Sequence, residues 1–355
     1  MTATLLAAVV LAGALVTGCT ATAQPGPSPA ATAPAGALAS TRAPRHITTY
    51  QVPQARSDPG AGGPGYPSLA LVGPAGDWNG KLVVFLAGTG DEPSCCRQFL
   101  AQAVVLGFHA ISLGYDNATP VATRCSDNLS CYGAVHENVF TGADPSHLSS
   151  MPPRGGVEHR LVALLSFLRR RYPDEGWGKF LVADRAVYGS IVLAGHSQGG
   201  AEVAFIATQR RVAGVVMLSS PPDTDGRLRP ASWLAHVPAG KTPIARYFGF
   251  ANRADPFFGR IATDWRVMGL DALGSPVSVD QPGAHSALAH ELISTAAVPA
   301  TGRAAAHTAT ADDGAQPLCR DGVSRYAPAW RYLLQAAGGF RVSPLAAACA
   351  SSPAP

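Results

Sequence analysis

The run Ser190-Ile191-Val192-Leu193-Ala194-Gly195-His196-Ser197-Gln198-Gly199-Gly200 constrains this chain more than any other stretch. An apolar segment of strand character ends in Gly-x-Ser-x-Gly, and a helix-forming segment, Ala201-Glu202-Val203-Ala204-Phe205-Ile206-Ala207, follows at once. A strand that passes so abruptly into a helix must turn sharply, which holds the serine at the apex in a strained and exposed backbone conformation. Glycines on either side are then a steric requirement, because side chains at Gly195 and Gly199 would meet the neighbouring strand and helix. The turn also leaves Ser197 at a helix N-terminus, where unpaired N–H groups and the helix dipole favour negative charge. The bare pattern is common, since chance supplies it in roughly a quarter of chains this rich in glycine. Its single occurrence, between a strand and a helix, gives it weight.

The alternation of strand-like and helix-like segments continues on both sides. Lys81-Leu82-Val83-Val84-Phe85-Leu86 reads as the first firm strand, with further strands predicted at 109–115, 212–218, 243–251 and, last, 276–279. Helices are predicted over 93–106, over 157–172 on the period of Leu161, Leu164, Leu165 and Leu168, over 286–295, and near 328–337. Residues 116–156 and 219–242 are long polar or proline-rich excursions placed where a lid or pocket wall belongs, and 298–317 reads as loop. Such alternation predicts an α/β domain with a mostly parallel central sheet flanked by helices and long loops as a partial lid.

Composition narrows the function classes. The 355 residues are 47% hydrophobic and only 14% charged, and the net charge of +4 is spread without a basic block, which excludes a nucleic-acid partner. Arg169-Arg170-Arg171, the densest positive run, reads as the solvated end of a helix. Residues 5–16 form an apolar stretch too short to span a bilayer, followed by small residues, as in an export signal. Val16-Thr17-Gly18-Cys19 resembles the lipobox of bacterial lipoproteins, which implies cleavage after Gly18 and lipid on Cys19; no Lys or Arg precedes the apolar run, a departure from the usual pattern. The expected organisation is a signal over 1–18, a disordered Ala/Pro-rich tether over 19–45 and a catalytic domain over 46–355, extracellular and either lipid-anchored or secreted. Membrane contact is then expected only through the N-terminal lipid. Six cysteines remain once Cys19 is set aside, an even number that suits an oxidising compartment. Cys125 with Cys131 would close a short polar loop and Cys319 with Cys349 would staple the C-terminal segment, leaving Cys95 and Cys96 as a vicinal pair or paired elsewhere. No histidine stands at ligand spacing from these cysteines, so no metal or other cofactor is expected.

With the elbow and the segments after it in view, residues of about 70–340 resemble the α/β-hydrolase superfamily. That resemblance implies a triad in the chain order Ser, acid, His. The acid is expected past the strand after next from the elbow, where Tyr247-Phe248-Gly249-Phe250-Ala251-Asn252-Arg253-Ala254-Asp255-Pro256 places Asp255. The histidine is expected past the last strand, where Val279-Asp280-Gln281-Pro282-Gly283-Ala284-His285-Ser286 places His285. The residue types match the chemistry: a serine hydroxyl needs an imidazole to take its proton, and a carboxylate fixes the imidazole tautomer. Asp223, after the preceding strand, is the rival acid. For an oxyanion hole the resemblance implies the N–H of Gln198 and one from Gly88-Thr89-Gly90, with Thr89 preferred and Gly90 close behind. Tyr115, Asp116 and Asn117 at the end of a strand are candidate pocket residues, as are Trp233, Phe257 and Phe258 for an apolar acyl pocket. The implied activity is a monomeric serine hydrolase acting on a small-molecule or lipid-like carboxylic ester. An acyltransferase, a peptidase, or a silent hydrolase fold serving as a surface binding protein are the alternatives.

Overall fold

The computed structural model describes residues 46–346 and Cys349, apart from 62–65, 127, 144–147, 149–150, 282–287, 300 and 303. In chain order the strands are β1 (Thr48–Val52), β2 (Ser68–Val72), β3 (Leu82–Leu86), β4 (His109–Ser112), β5 (Leu181–Val182), β6 (Arg185–Ala186), β7 (Ile191–His196), β8 (Gly214–Leu218), β9 (Tyr247–Asn252), β10 (Val277–Ser278) and β11 (Glu291–Ser294). The helices are α1 (Gln54–Ser57), α2 (Arg97–Val105), α3 (Val121–Cys125), α4 (Cys131–Thr141), α5 (Val157–Arg171), α6 (Gln198–Gln209), α7 (Phe258–Met268), α8 (Ala305–Thr308) and α9 (Ala327–Gly338).

Nine strands form one sheet in the order β1-β2-β4-β3-β7-β8-β9-β11-β10, while β5 and β6 make a separate small hairpin. From β4 to β10 every pairing is parallel; only β2 runs against its neighbours β1 and β4. A parallel strand covered on both faces must be apolar throughout, and β3, β7 and β8 are buried at every residue. Alternate residues serve two cores. Leu82, Val84, Ile191, Leu193, Val215 and Met217 face the layer of α4, α5, α6 and α7. Val83, Phe85, Val192, Ala194, Val216 and Leu218 face the layer of α2 and α9. The alternation of segments predicts this mostly parallel sheet with helices on both faces, and it is the α/β-hydrolase fold that the resemblance implies.

The helices follow their apolar periods. In α5, Val157, Leu161, Leu164, Leu165 and Leu168 are buried, while Arg169, Arg170 and Arg171 form its solvated last turn, where cations suit the helix dipole. Several elements depart from the expected pattern: α7 falls where no helix is expected, and α3, α4 and α8 lie in segments read as excursion or loop. The excursion 116–156 contains α4, which its buried polar residues His136 and Asn138 hide from a hydrophobic period. The larger departure is β11. The segment expected to be a helix over 286–295 instead contributes a strand inserted between β9 and β10, with Leu292 opposite both Phe250 and Val277. Val277–Ser278 is therefore a two-residue edge strand and not the last strand of the chain.

Three disulfides are formed: Cys125–Cys131, Cys319–Cys349 and the vicinal Cys95–Cys96. The first two are the expected pairs, and the third settles the partners left open. No helix among the described residues is long and apolar enough to cross a membrane. No cluster of metal-ligating side chains occurs among them.

Candidate active site

The elbow forms where β7 runs into α6. Ser197 sits at φ +52° and ψ −121°, a region that an L-residue occupies only under strain, and its N–H is fixed by the Leu218 carbonyl at 3.0 Å. The glycines have the predicted steric cause. A Cβ on Gly195 would stand 2.4 Å from the Gly199 carbonyl, and one on Gly199 would stand 2.1 Å from the Leu86 carbonyl oxygen. The approach of α6 to the strands therefore needs glycine at both positions.

A continuous hydrogen-bond chain starts at the half-buried Ser197 hydroxyl. Ser197 Oγ lies 2.7 Å from Nε2 of His307, and Nδ1 of the same ring lies 2.8 Å from Asp255 Oδ2. A carboxylate only accepts, so Nδ1 carries the proton and Nε2 presents its lone pair to the serine hydroxyl. The Asp255 carboxyl side chain has no exposed surface, and its other oxygen accepts the Phe257 N–H at 2.8 Å. The ring is fixed on its flank by Phe257, edge-on at a centroid distance of 5.0 Å. His307 O accepts the Nε2–H of His196 at 3.0 Å, so the residue beside Ser197 also anchors the backbone of His307. Burial pushes the His307 imidazole below the usual histidine range, more strongly than the Asp255 carboxylate raises it.

Asp255 thus stands where the sequence places it, and the imidazole on Ser197 belongs to His307, in α8. His285 falls outside the described residues, and the position expected for it is filled. The cause is the miscounted strand: with β11 at 291–294, the segment that follows the last strand is 295–308, which carries His307. Among all the residues of 298–317, read as plain loop, the one available signal was a histidine downstream of an apolar Leu-Ile pair.

Asp223 makes no contact with His307. It belongs to a separate buried network, in which its Oδ2 accepts from His136 Nε2 at 2.7 Å and from Trp233 Nε1 at 2.9 Å. His136 Nδ1 reaches Glu202 Oε2 at 2.8 Å, so both ring nitrogens face carboxylates. Burial alone would lower this imidazole, but Asp223 and Glu202 hold it up to about 10, and it is a buried imidazolium.

A cleft of about 350 Å³ opens over Ser197, bounded by Thr89, Asp91, Val121, Phe257, Arg260 and His307 among others. Thr89 Oγ1 donates to the Gln198 side-chain oxygen at 2.7 Å, which brings the loop after β3 against the start of α6. No acceptor among the described residues takes the backbone N–H of Thr89 or of Gln198. The Gly90 N–H, by contrast, is engaged by the Asn117 carbonyl at 3.0 Å and is not free for a ligand. Tyr115 is likewise a tie and not a pocket wall: it is buried, and its hydroxyl donates to the Ala87 carbonyl at 2.6 Å. Asn117 is buried beside it and donates to the Gly88 and Asp91 carbonyls, while Asp116 faces Arg124 at 3.7 Å. These residues shape the loop after β3 from behind. Of the aromatic candidates, Phe257 lines the cleft; Trp233 packs on His136 and Phe205 beneath it.

No protein-family model and no curated protein sequence matches the chain. Among solved structures, it is similar to a protein from Klebsiella pneumoniae subsp. pneumoniae assigned as a dienelactone hydrolase, at 12% identity and a TM-score of 0.34, over 70% of this chain and 84% of that one.

Proposed function

We propose that the protein is a serine hydrolase that cleaves carboxylic esters through an acyl-enzyme. The reading rests on one observation, the chain Ser197 Oγ, His307, Asp255 at 2.7 and 2.8 Å beneath an open cleft. In the first step Ser197 Oγ attacks the ester carbonyl while His307 Nε2 takes its proton, and the C=O electron pair moves onto oxygen. The Gln198 and Thr89 N–H groups are the candidate donors to that oxyanion, at the N-terminal end of α6. Collapse expels the alcohol, which leaves with the proton from His307. Water then repeats the sequence on the acyl-enzyme and releases the acid. Asp255 holds the ring in the tautomer that both halves need.

We further propose that the domain is exported, with Cys19 as its lipid-bearing residue. Three disulfides in one chain fit an oxidising compartment. A fluorophosphonate probe tests the catalytic reading. Ser197 should be labelled, and Ser197→Ala should lose labelling and ester turnover by several orders of magnitude while keeping its fold. Labelling that survives in the variant would assign the nucleophile elsewhere; an unlabelled native protein would favour a silent binding protein. Cys19→Ala should move the protein from the membrane fraction to the medium.

A further inference from the structure

The Asp223 carboxylate is set unlike any other acid of the cleft. Its side chain is 6% exposed, yet it lines the same cavity as Ser197 and His307. Oδ2 is saturated, with the His136 and Trp233 N–H groups both donating to it. No donor among the described residues reaches Oδ1. Its own N–H is held by Asp264 Oδ2 at 2.7 Å, so neither the backbone nor the carboxylate is free to turn away. Oδ1 keeps its small exposure on the cleft, so in the free protein it is left to water, which a donor that enters can displace. A fold that spends a buried imidazolium and an indole on one oxygen and leaves the other facing the cleft has prepared an acceptor for something that enters.

We propose that Asp223 Oδ1 is a substrate subsite, which receives a hydroxyl group carried by the ester near its scissile bond. The inference rests on the serine hydrolase reading and deepens it: the substrate class is hydroxylated esters, such as those of hydroxy acids or polyols. An acceptor-only group selects donors, and water fills the place until the substrate hydroxyl displaces it. An ammonium group is also a donor, but Arg260 stands on the same cleft and forms no ion pair among the described residues. Its positive charge opposes a cation and leaves a neutral hydroxyl favoured. Sites built to bond a substrate hydroxyl discriminate strongly against the analogue that lacks it, because the buried partner is left unpaired.

Matched esters test this: p-nitrophenyl 3-hydroxybutyrate against p-nitrophenyl butyrate for the acyl side, and glyceryl against propyl butyrate for the alcohol side. In the native protein one pair should show a preference of about 10-fold or more in kcat/KM for the hydroxylated member, after correction for the hydroxide-catalysed rates. In Asp223→Leu no atom at this position can accept from or donate to a substrate hydroxyl. The preference should fall toward one, whatever happens to the absolute rates. A native preference that persists in the variant would overturn the subsite, and so would equal rates within both pairs in native protein. Equal native rates overturn the subsite even if the variant does not fold. Preference for p-nitrophenyl 3-aminobutyrate over the hydroxy ester would overturn the choice of a neutral donor. Failure of Ser197 to label with a fluorophosphonate would instead overturn the hydrolase reading, which separates the two.

Discussion

Ser197 at φ +52° is where local chemistry reads most directly from the chain, since only a Gly-x-Ser-x-Gly turn both needs glycine on each side and exposes its central hydroxyl. Asp255 was equally legible, because its place depends on counting strands across a region where β8 and β9 are unambiguous apolar runs. The two aspartates sit in separate hydrogen-bond networks, so the roles proposed for them can be tested apart. Asp255→Asn would keep the shape of the site but offer the ring an N–H in place of a carboxylate, presenting the wrong tautomer to Ser197; turnover should drop about 10⁴-fold. The matching change at Asp223 should leave the pH dependence of the reaction intact, because no bond connects it to His307. That dependence has a definite direction. Burial lowers the His307 imidazole from the ordinary histidine value, so the neutral, base-competent ring persists below pH 6.5. The acid limb of kcat/KM should therefore have its midpoint under 6.5, and a midpoint above it would mean that another group sets the limb.

At the scale of elements, the misread histidine shows which signals a sequence carries weakly. The segment Glu291-Leu292-Ile293-Ser294 has two apolar residues, too few to distinguish a strand from a helix by period, and only insertion between β9 and β10 makes it a strand. Pairing with sequence-distant partners is invisible to local pattern, and the error propagated to the residue after it. Similarly, α4 gives Tyr132, Val135, Val139 and Phe140 to the apolar layer but carries among them a buried His136 that meets a carboxylate, which breaks its hydrophobic period. The corrected assignment is simple to check by labelling: His307→Ala should abolish reaction of Ser197 with a fluorophosphonate, whereas His285→Ala should retain it. The disulfides belong to this scale too. Cys319–Cys349 closes a 30-residue separation around the C-terminal helix α9. Its removal by Cys319→Ser with Cys349→Ser should lower stability by about 2–4 kcal/mol, read from denaturant melts, without loss of labelling at Ser197.

Across the whole molecule, Ser197, Asp255 and His307 all arise past the C-terminal ends of parallel strands, the edge where ligands gather in open α/β sheets. What holds that edge together from below is a set of buried charges. The His136 imidazolium on α4 joins Glu202 on α6 to Asp223 on the segment after β8, and Asp223 in turn meets Asp264 on α7. Removal of the central cation would leave buried carboxylates facing one another, so the network ties four separate elements to one protonation state. With the folded value held up to about 10 and an unfolded histidine near 6.5, the native state binds the extra proton throughout that window. Stability from this group is complete below pH 6.5 and is lost as pH rises toward 10. Asp264, which burial raises well above the usual carboxyl range, acts in the same direction, since it too favours the protonated fold. Glu202, pushed up to about 6 by burial, has finished its titration before this window opens. The unfolding free energy should thus decline from pH 7 to pH 10, by up to about 1.4 kcal/mol per pH unit for each excess proton the native state holds. Denaturant melts of the native protein at intervals across that range would measure it. The slope should be smaller in His136→Gln, which keeps a donor on one carboxylate but carries no titrating proton. A flat or rising profile in the native protein would mean that His136 is neutral and that Glu202 holds the proton instead.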